Sequence, residues 1–208
     1  MHTGYKEPAY SVVTRFTEKK SRFITNIAAV RREDEAKAFI ERIKQKYPDA
    51  THNCTAYRLW YPRIERFSDD GEPAGTAGMP MLEVMKKEDV YNICAVVTRY
   101  FGGVLLGGGG LIRAYSRGVS EAINESGFAV RLESVTLLLM FEYGGYSIVD
   151  RFLDNTVHNR VSCSFNQKVE LTISVRSLEC ASIEQKLKDL LRGNIEIREI
   201  SSGFDSFK

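Results

Sequence analysis

A run of four glycines and three arginines near it carry the most distinctive chemistry of the sequence. Glycine has no Cβ atom, so the run permits positive φ angles and close approach of a ligand or another backbone. The apolar spacing that follows predicts a helix over residues 111–126, whose free N–H groups and positive dipole end would face the same space. We therefore predict a site for anions or nucleic acid, the alternative being a packing turn between a strand and a helix. The candidate residues are Gly107, Gly108, Gly109, Gly110, Arg99, Arg113 and Arg117, together with Arg22 from an earlier basic segment.

An acidic loop with the sequence Ser-Asp-Asp-Gly-Glu occupies residues 68–72. Asp69, Asp70 and Glu72 supply the oxygen ligands that hard cations prefer. The same carboxylates are also suited to pairing with arginines or to capping the helix that follows. We expect a solvated turn that caps this helix, and we predict no metal. The catalytic alternative is a small metal-assisted hydrolase that uses these acids.

Other catalytic or cofactor motifs are scarce. His52 and Cys54 share one face of a predicted strand. The alternatives for this pair are a Cys–His dyad, half of a metal site, or two side chains at the edge of the core, and we expect the last. The glycine run lacks the Lys-Ser/Thr pair of a phosphate-binding loop. Ile112 and Arg113 stand where a dinucleotide-binding fingerprint needs its third glycine. We therefore predict no cofactor and assign no catalytic residue.

The composition is that of an ordinary globular protein with a small positive charge. Of the 208 residues, 43% are hydrophobic and 27% are charged, and the formal net charge is +2. A strongly basic nucleic-acid binder is excluded, so any RNA affinity must come from a local patch. The four cysteines lack metal-binding spacing, and no apolar run is long enough for a membrane span. The first residues are polar, and we expect a cytoplasmic protein that contacts no membrane.

Strands and helices that alternate along the first two thirds of the chain would position the candidate residues. The patterns predict a hairpin over residues 10–16 and 22–30, a helix over 33–47, a strand over 52–61, a charged loop over 62–70, a helix over 76–87 capped by Thr76, and a central strand over 91–100.

The pattern changes after a polar joint near residues 131–134. Strands are predicted over 135–143, 157–165, 168–176 and 194–200, with helices over 146–155 and 178–191. This βαββαβ order is that of a ferredoxin-like unit. We therefore predict the α+β class with two domains, residues 1–130 and residues 131–208.

Three long motifs resemble those of the IMPACT family. They are the segment from Ser68 to Gly78, the run Arg99-Tyr100-Phe101-Gly102-Gly103, and Leu106–Leu111 followed by Arg113-Ala114-Tyr115. The opening Lys20-Ser21-Arg22-Phe23-Ile24 and the strand of His52 also resemble that family. His52, Asp69, Asp70, Glu72 and Tyr100 are thereby candidate functional residues. The sequence departs from the family at Gly108, where Thr or Ala is frequent, and we expect a more flexible turn there.

The resemblance implies an N-terminal α/β sandwich like the second domain of a small-subunit ribosomal protein. It also implies a C-terminal ferredoxin-like domain similar to the last domains of elongation factor G. Eukaryotic relatives regulate translation by binding the activator of a stress kinase. They carry a different partner-binding domain that we do not find in this sequence, so their mechanism is not transferred.

Three hypotheses of function follow. The first is a non-enzymatic, translation-associated factor that binds RNA, the ribosome or a protein of the translation machinery. The second is the hydrolase of the acidic loop, and the third is a protein-binding module built on the C-terminal sheet. We expect a monomer or a weak homo-oligomer.

Overall fold

The computed structural model describes residues 4–207 and divides them into two compact units. The N-terminal unit comprises residues 5–129, and the C-terminal unit comprises residues 130–207 together with Gly4. Both contain strands and helices, so the mixed α/β character that the sequence predicts is confirmed. Within the described residues, no helix is both long and apolar enough to cross a membrane.

The N-terminal unit is organised around one five-stranded sheet in the order β2-β3-β6-β4-β5. All of its strand pairs are antiparallel. The elements of this part of the chain are β1 (Gly4–Pro8), β2 (Val12–Glu18), β3 (Ser21–Ala29), α1 (Glu33–Lys46), β4 (His52–Leu59), β5 (Ile64–Ser68), α2 (Gly78–Lys87), β6 (Ile93–Tyr100) and α3 (Gly108–Ser126).

Strand β6 is the centre of this sheet, as its long apolar run predicts. Its residues from Ile93 to Arg99 are all buried, because successive side chains point to opposite faces and each face is covered by helix. Ala95 and Val97 join the core beneath α2 and α3, whereas Cys94 and Val96 join the core beneath α1. The candidate residue Arg99 follows the same alternation and points towards α3.

Two predictions for this unit need correction. Residues 64–68 form the edge strand β5 rather than a loop, and their charged side chains suit a solvent-exposed edge because Glu65 pairs with Arg58 on β4. Helix α3 begins at Gly108, three residues before the predicted start, so three of the four glycines are helical. The Leu111 N–H donates to Gly107 O and closes the first turn.

The C-terminal unit has the predicted βαββαβ order. Its elements are β7 (Phe128–Phe141), α4 (Tyr146–Asp154), β8 (His158–Phe165), β9 (Val169–Arg176), α5 (Cys180–Leu190) and β10 (Ile195–Asp205). The antiparallel strand order is β10-β7-β9-β8. Alternate residues of β7 and β9 pack with Val149 and Leu153 of α4 and with Leu187 of α5. The polar joint expected at residues 131–134 is part of β7, because Leu132 to Ser134 pair with the end of β10.

Candidate functional site

A cavity of about 350 Å³ opens in the N-terminal unit where β4, β6, the acidic loop and the start of α3 meet. Its lining includes five of the predicted candidates, namely His52, Glu72, Arg99, Gly107 and Gly108. Thr51, Phe101, Leu105 and Leu106 also line it, and none of them was a predicted candidate.

Strand register brings His52 and Arg99 together. The two residues are directly opposite each other on the antiparallel strands β4 and β6, so their side chains lie on the same face. Glu72 reaches in from the acidic loop and contacts both. Its Oε1 accepts a 2.6 Å hydrogen bond from Arg99 Nη1, and its Oε2 lies 3.9 Å from His52 Nε2.

The Glu72–Arg99 ion pair is buried, with side-chain exposures of 3% and 5%. Arg99 Nη2 also donates to Ser21 Oγ, while Arg99 Nε has no hydrogen-bond partner within the described residues. Tyr115 of α3 donates its hydroxyl proton to the same Glu72 oxygen at 2.8 Å. Arg99 is therefore committed to Glu72, because a buried charge needs a partner.

The hydrogen bonds of His52 define its neutral tautomer. Its Nδ1 lies 2.8 Å from the carbonyl oxygen of Asp70. A carbonyl oxygen only accepts, so Nδ1 carries the proton and Nε2 of the neutral ring carries a lone pair. His52 is thus held in place by the loop and turns its Nε2 towards Glu72.

The three acids of the loop have three different protein partners. Asp69 accepts hydrogen bonds from the backbone N–H groups of Ala77 and Gly78 at the start of α2 and from that of Gly75 in the preceding loop. The capping role expected of the loop is therefore present, and Asp69 performs it. Thr76 does not cap the helix, because its hydroxyl donates to Pro73 O.

Asp70 and Glu72 tie the loop to the rest of the unit rather than to solvent. Asp70 accepts a hydrogen bond from Lys44 of α1 and another from the backbone N–H of Asn53. Burial opposes ionisation of Asp70, but these two donors outweigh it, so its pKa is lowered. The expectation of a solvated turn is wrong for Glu72, which is buried. Within residues 4–207, no cluster of three acids, histidines or cysteines has the arrangement of a metal site.

Cys54 belongs to the core beneath this loop. Its thiol donates to Asp69 O, and burial raises its pKa to about 12. A thiol with such a pKa is protonated at neutral pH and is a poor nucleophile. The structure therefore agrees with the expected core-edge residue and gives no support for a Cys–His dyad.

The start of α3 is open towards the cavity. Gly107 has a φ of 75°, a value that favours glycine, and precedes the first helical turn. Among residues 4–207 no side chain caps the helix, and its first turn contains no acidic residue. Gly108 lines the cavity, and a Cβ atom there would meet only Thr76 Cγ2, at 3.9 Å.

The exposed arginines of α3 do not join Arg99 in the cavity. Arg113 is exposed, lies close to Gly109 and has no ion-pair partner within residues 4–207. Arg117 pairs with Glu121 one turn later, and its guanidinium lies 4.5 Å from the Phe16 ring centroid. The glycine turn thus brings Arg99 close to the helix start but not into one cluster with Arg113 and Arg117.

Arg22 and Tyr100 lie on the other face of the sheet. Phe23, the next residue along β3, packs edge-on against Tyr115 beneath α3, so Arg22 points the opposite way. Arg22 lies 4.3 Å from the Tyr100 ring centroid, and the Tyr100 hydroxyl donates to Asp49. The expectation that the Arg22 side chain joins the site at the glycine run and the start of α3 is therefore wrong.

The turn that precedes Arg22 has an unusual backbone. Lys19 and Lys20 form the two-residue loop between β2 and β3, and their φ angles are 44° and 66°. Positive φ at both positions is the pattern of a type I′ turn, which strongly prefers Asn-Gly. Both lysines are exposed, and neither has an ion-pair partner within the described part of the chain.

Comparison with known proteins supplies a family for this geometry. The family described as "Impact N-terminal domain" matches residues 19–123. The IMPACT family member YvyE of Bacillus subtilis is 40% identical over 182 residues, which are 87% of this chain and 84% of that protein. The IMPACT family member YigZ of Escherichia coli is 36% identical over 93% of this chain and 96% of that protein.

A solved structure matches over nearly the full length. The crystal structure of a hypothetical protein is 35% identical, covers 97% of this chain and 99% of its own, and superposes with a TM-score of 0.64. The similarity therefore extends over both units.

Proposed function

The chain belongs to the IMPACT family, and from this premise we propose that it is a non-enzymatic, translation-associated regulatory factor of the cytoplasm that binds RNA on the ribosome. Translational regulation is what the family resemblance implies. We assign RNA binding to the basic hairpin turn of Lys19 and Lys20, assisted by Arg113 of α3.

The observation that carries this proposal is the pair of lysines in the type I′ turn. An L-residue with left-handed backbone angles costs roughly 1 kcal/mol relative to glycine. Lys19 and Lys20 thus occupy positions where stability alone favours Asn-Gly. Strained residues of this kind are often retained for function. Two adjacent, exposed and unpaired ammonium groups are suited to phosphate contacts, which depend on charge and not on base identity.

The turn is adjacent to the loop that leads into α3. A Cβ atom on Gly102 would lie 2.1 Å from backbone atoms of Lys20, so the two segments are in close contact. The Ser21 hydroxyl accepts a hydrogen bond from the Gly102 N–H and fixes this contact. Arg113 lies beyond the other end of the same loop, in the second turn of α3. The cations therefore flank one loop, residues 101–107, and we propose that RNA crosses it.

We further propose that the two units are two domains, divided near residues 130 and 131. The N-terminal one would be the ribosomal-protein-like sandwich and the C-terminal one the ferredoxin-like domain. The strand order β10-β7-β9-β8 supports the second assignment, because it places the first and third strands of the βαββαβ unit at the centre of the sheet.

The hydrolase alternative receives no support from the acidic loop. Asp69 is occupied by backbone N–H groups, Asp70 by Lys44 and Asn53, and Glu72 by Arg99 and Tyr115. Carboxylates whose oxygens already accept from several protein donors are poorly disposed to bind a metal ion.

Binding of labelled ribosomal RNA and of intact ribosomes tests the proposal. The variant Lys19→Asn/Lys20→Gly removes both charges and supplies the residues that the turn prefers, so it folds at least as well as the wild type. We expect its RNA affinity at low salt to fall by about tenfold, since two phosphate contacts are lost.

The control variant is Lys87→Gln/Lys186→Gln, which removes the same charge from exposed lysines elsewhere. Equal affinity of the wild type and both variants would refute RNA binding at the turn. Binding to ribosomes that is insensitive to salt and to both variants would instead indicate a protein of the translation machinery as the partner.

A further inference from the structure

We propose that the open edge of β2 binds an acidic segment of a partner protein, which adds to the N-terminal sheet as a further strand. An apolar side chain of that segment would enter the groove between β2 and α1, and its carboxylates would face Arg15, Arg42 and Lys46. This surface is separate from the loop of residues 101–107 that we propose RNA crosses, and it takes a polypeptide rather than a nucleic acid.

Strand β2 is one edge of the five-stranded sheet, and within residues 4–207 it pairs only with β3. The two-residue turn that follows makes Glu18 and Ser21 a hydrogen-bonded pair, and such pairs alternate along an antiparallel ladder. The backbone groups of the even-numbered residues of β2 therefore point to β3, whereas those of Val13, Arg15 and Thr17 point outwards. An edge with outward N–H and C=O groups is a template on which another strand can pair.

A groove of about 290 Å³ lies beside this edge, between β2 and α1. Val13 of the strand and Phe39 and Ile43 of the helix contribute its apolar surface. Arg42 and Lys46, one helical turn apart, also line it. Residues directly opposite each other on neighbouring strands share one face of a sheet, so a partner residue opposite Val13 would point into this groove.

The cations around the groove are not neutralised by neighbouring acids. Arg15, Arg42 and Lys46 are exposed, and none of them has an ion-pair partner within the part of the chain that the structure describes. Glu35 lies on the same flank of α1 as Arg42, but it already pairs with Arg32. Three uncompensated positive charges thus surround an apolar groove. That arrangement is complementary to a strand in which acidic side chains stand on both sides of an apolar one.

The same features argue against two other occupants. Antiparallel pairing of two β2 edges about their centres would place the Arg15 side chains of two copies opposite or diagonal to each other, and like charges that close are destabilising. RNA has no regular series of amide groups to pair with the backbone of Val13, Arg15 and Thr17. An acidic polypeptide satisfies both the backbone edge and the charges.

Thr17 allows backbone pairing to be tested apart from charge. Its side chain is uncharged and does not line the groove, while its N–H points outwards. Thr17→Pro removes that N–H without removing a bond to β3, and an edge strand tolerates proline at such a position. Thr17→Ala is the matched control, because it alters the side chain and keeps the N–H.

Fluorescence anisotropy at low salt with the labelled peptide Thr-Glu-Thr-Val-Thr-Glu-Thr tests the proposal. In an extended chain, both glutamates and the valine of this probe lie on one face. We expect it to bind at least about tenfold more tightly than the same peptide with glutamines in place of the glutamates. Thr17→Pro should weaken binding of the acidic peptide by at least about tenfold, and Thr17→Ala by less than about threefold.

Charge is tested on α1, where substitutions leave β2 intact. Arg42→Gln/Lys46→Gln should weaken binding of the acidic peptide by at least about fivefold, whereas Lys87→Gln/Lys186→Gln should change it by less than about twofold. Lys19→Asn/Lys20→Gly should retain the peptide affinity within about threefold, so that failure of the RNA proposal and failure of this one are distinguishable.

Several results would overturn the proposal. They are equal binding of the acidic and the glutamine peptide, equal effects of Thr17→Pro and Thr17→Ala in folded variants, and no binding at millimolar peptide. Dimerisation of the wild type that Thr17→Pro abolishes would assign the edge to a second copy instead. A fall in RNA affinity in Arg42→Gln/Lys46→Gln without a fall in peptide affinity would assign the groove to RNA. Thermal unfolding shows whether each variant is folded, and if Thr17→Pro is not, the α1 variant decides.

Discussion

Glu72 is the residue through which the candidate site holds together, because its carboxylate contacts Arg99, Tyr115 and His52 from three different elements. The same residue fixes the acidic loop over the end of β6. The first role of the Glu72–Arg99 ion pair is therefore to stabilise the fold of the site. Its burial makes it sensitive to the loss of either partner.

The variant Glu72→Gln should destabilise the protein by about 3–5 kcal/mol, because it leaves the Arg99 guanidinium as an uncompensated buried charge. Urea denaturation followed by circular dichroism measures this change. Glu121→Gln is the matched control, since Glu121 pairs with Arg117 at the surface and should cost at most about 1 kcal/mol. Equal costs for the two variants would contradict the buried pair.

Because of Asp70, the free energy of unfolding should depend on pH below about pH 4. The pKa of Asp70 is lowered in the folded protein, so the folded state favours the charged form more than the unfolded state does. That contribution is fully present above the unfolded pKa of about 3.9 and is lost as the pH falls through the lower folded pKa. In Asp70→Asn this loss should be absent, and the stability curve below about pH 4 should be flatter than that of the wild type.

Urea denaturation at intervals from pH 2.5 to pH 7 provides this comparison. Asp205→Asn serves as a control of the same chemistry in the C-terminal unit. An unchanged acid limb in Asp70→Asn would show that Lys44 and Asn53 do not stabilise the charged form.

At the scale of elements, helix α2 depends on an acid that is distant from its first turn in sequence. Asp69 accepts from the backbone N–H groups of Ala77 and Gly78 at the start of α2 and from that of Gly75 in the loop before it. We expect Asp69→Ala to cost about 2 kcal/mol, the upper end of a capping effect, because these donors lose their acceptor together. Thr76→Ala should cost less, since Thr76 only donates to Pro73 O. Thermal unfolding of both variants tests this order, which would be reversed if Thr76 were the cap.

In the β2–β3 turn, unlike at the start of α2, a substitution should raise the stability of the protein. Asn-Gly in place of Lys19-Lys20 should stabilise the hairpin by roughly 1 kcal/mol, because it relieves two left-handed lysines. Chemical denaturation measures this gain. A loss of stability would mean that the lysines make interactions that outweigh the strain of their backbone.

Most elements were predictable because their apolar spacing is regular. The pattern of β6 predicts a central strand, and the one of α1 predicts its helix to within one residue. The edge strand β5 was missed because charged residues at a solvent-exposed edge lack the alternation of a half-buried strand. The start of α3 was misplaced because glycine has low helix propensity, whereas here Leu111 is anchored in the core and bonds back to Gly107.

The composition of the site was predictable, but its geometry was not. The sequence singles out His52, Glu72 and Arg99 by residue type, yet their convergence depends on the register of β4 against β6. A shift of one residue would send Arg99 to the other face of the sheet. The same alternation of side chains buries Arg99 and places Arg22 on the opposite face of the sheet. The sequence alone does not predict either position, because it does not give the strand register.

At the scale of the whole molecule, a net charge of +2 means that no general field attracts nucleic acid. Any RNA affinity must be local, modest and strongly dependent on salt. Two units are present, and Lys19, Lys20 and Arg113, which have no ion-pair partner within residues 4–207, belong to the N-terminal one. The match to the IMPACT family model lies in the same unit, because it covers residues 19–123.

The most direct measurement is the dependence of ribosomal-RNA affinity on salt concentration for the wild type and for Lys19→Asn/Lys20→Gly. Each phosphate contact adds roughly 0.7–0.9 to the slope of log affinity against log salt. We predict that the variant's slope is shallower by about 1.5, with unchanged or higher stability, and that Lys87→Gln/Lys186→Gln retains the wild-type slope. Identical slopes for all three proteins, or no RNA binding by the wild type at low salt, would contradict the account.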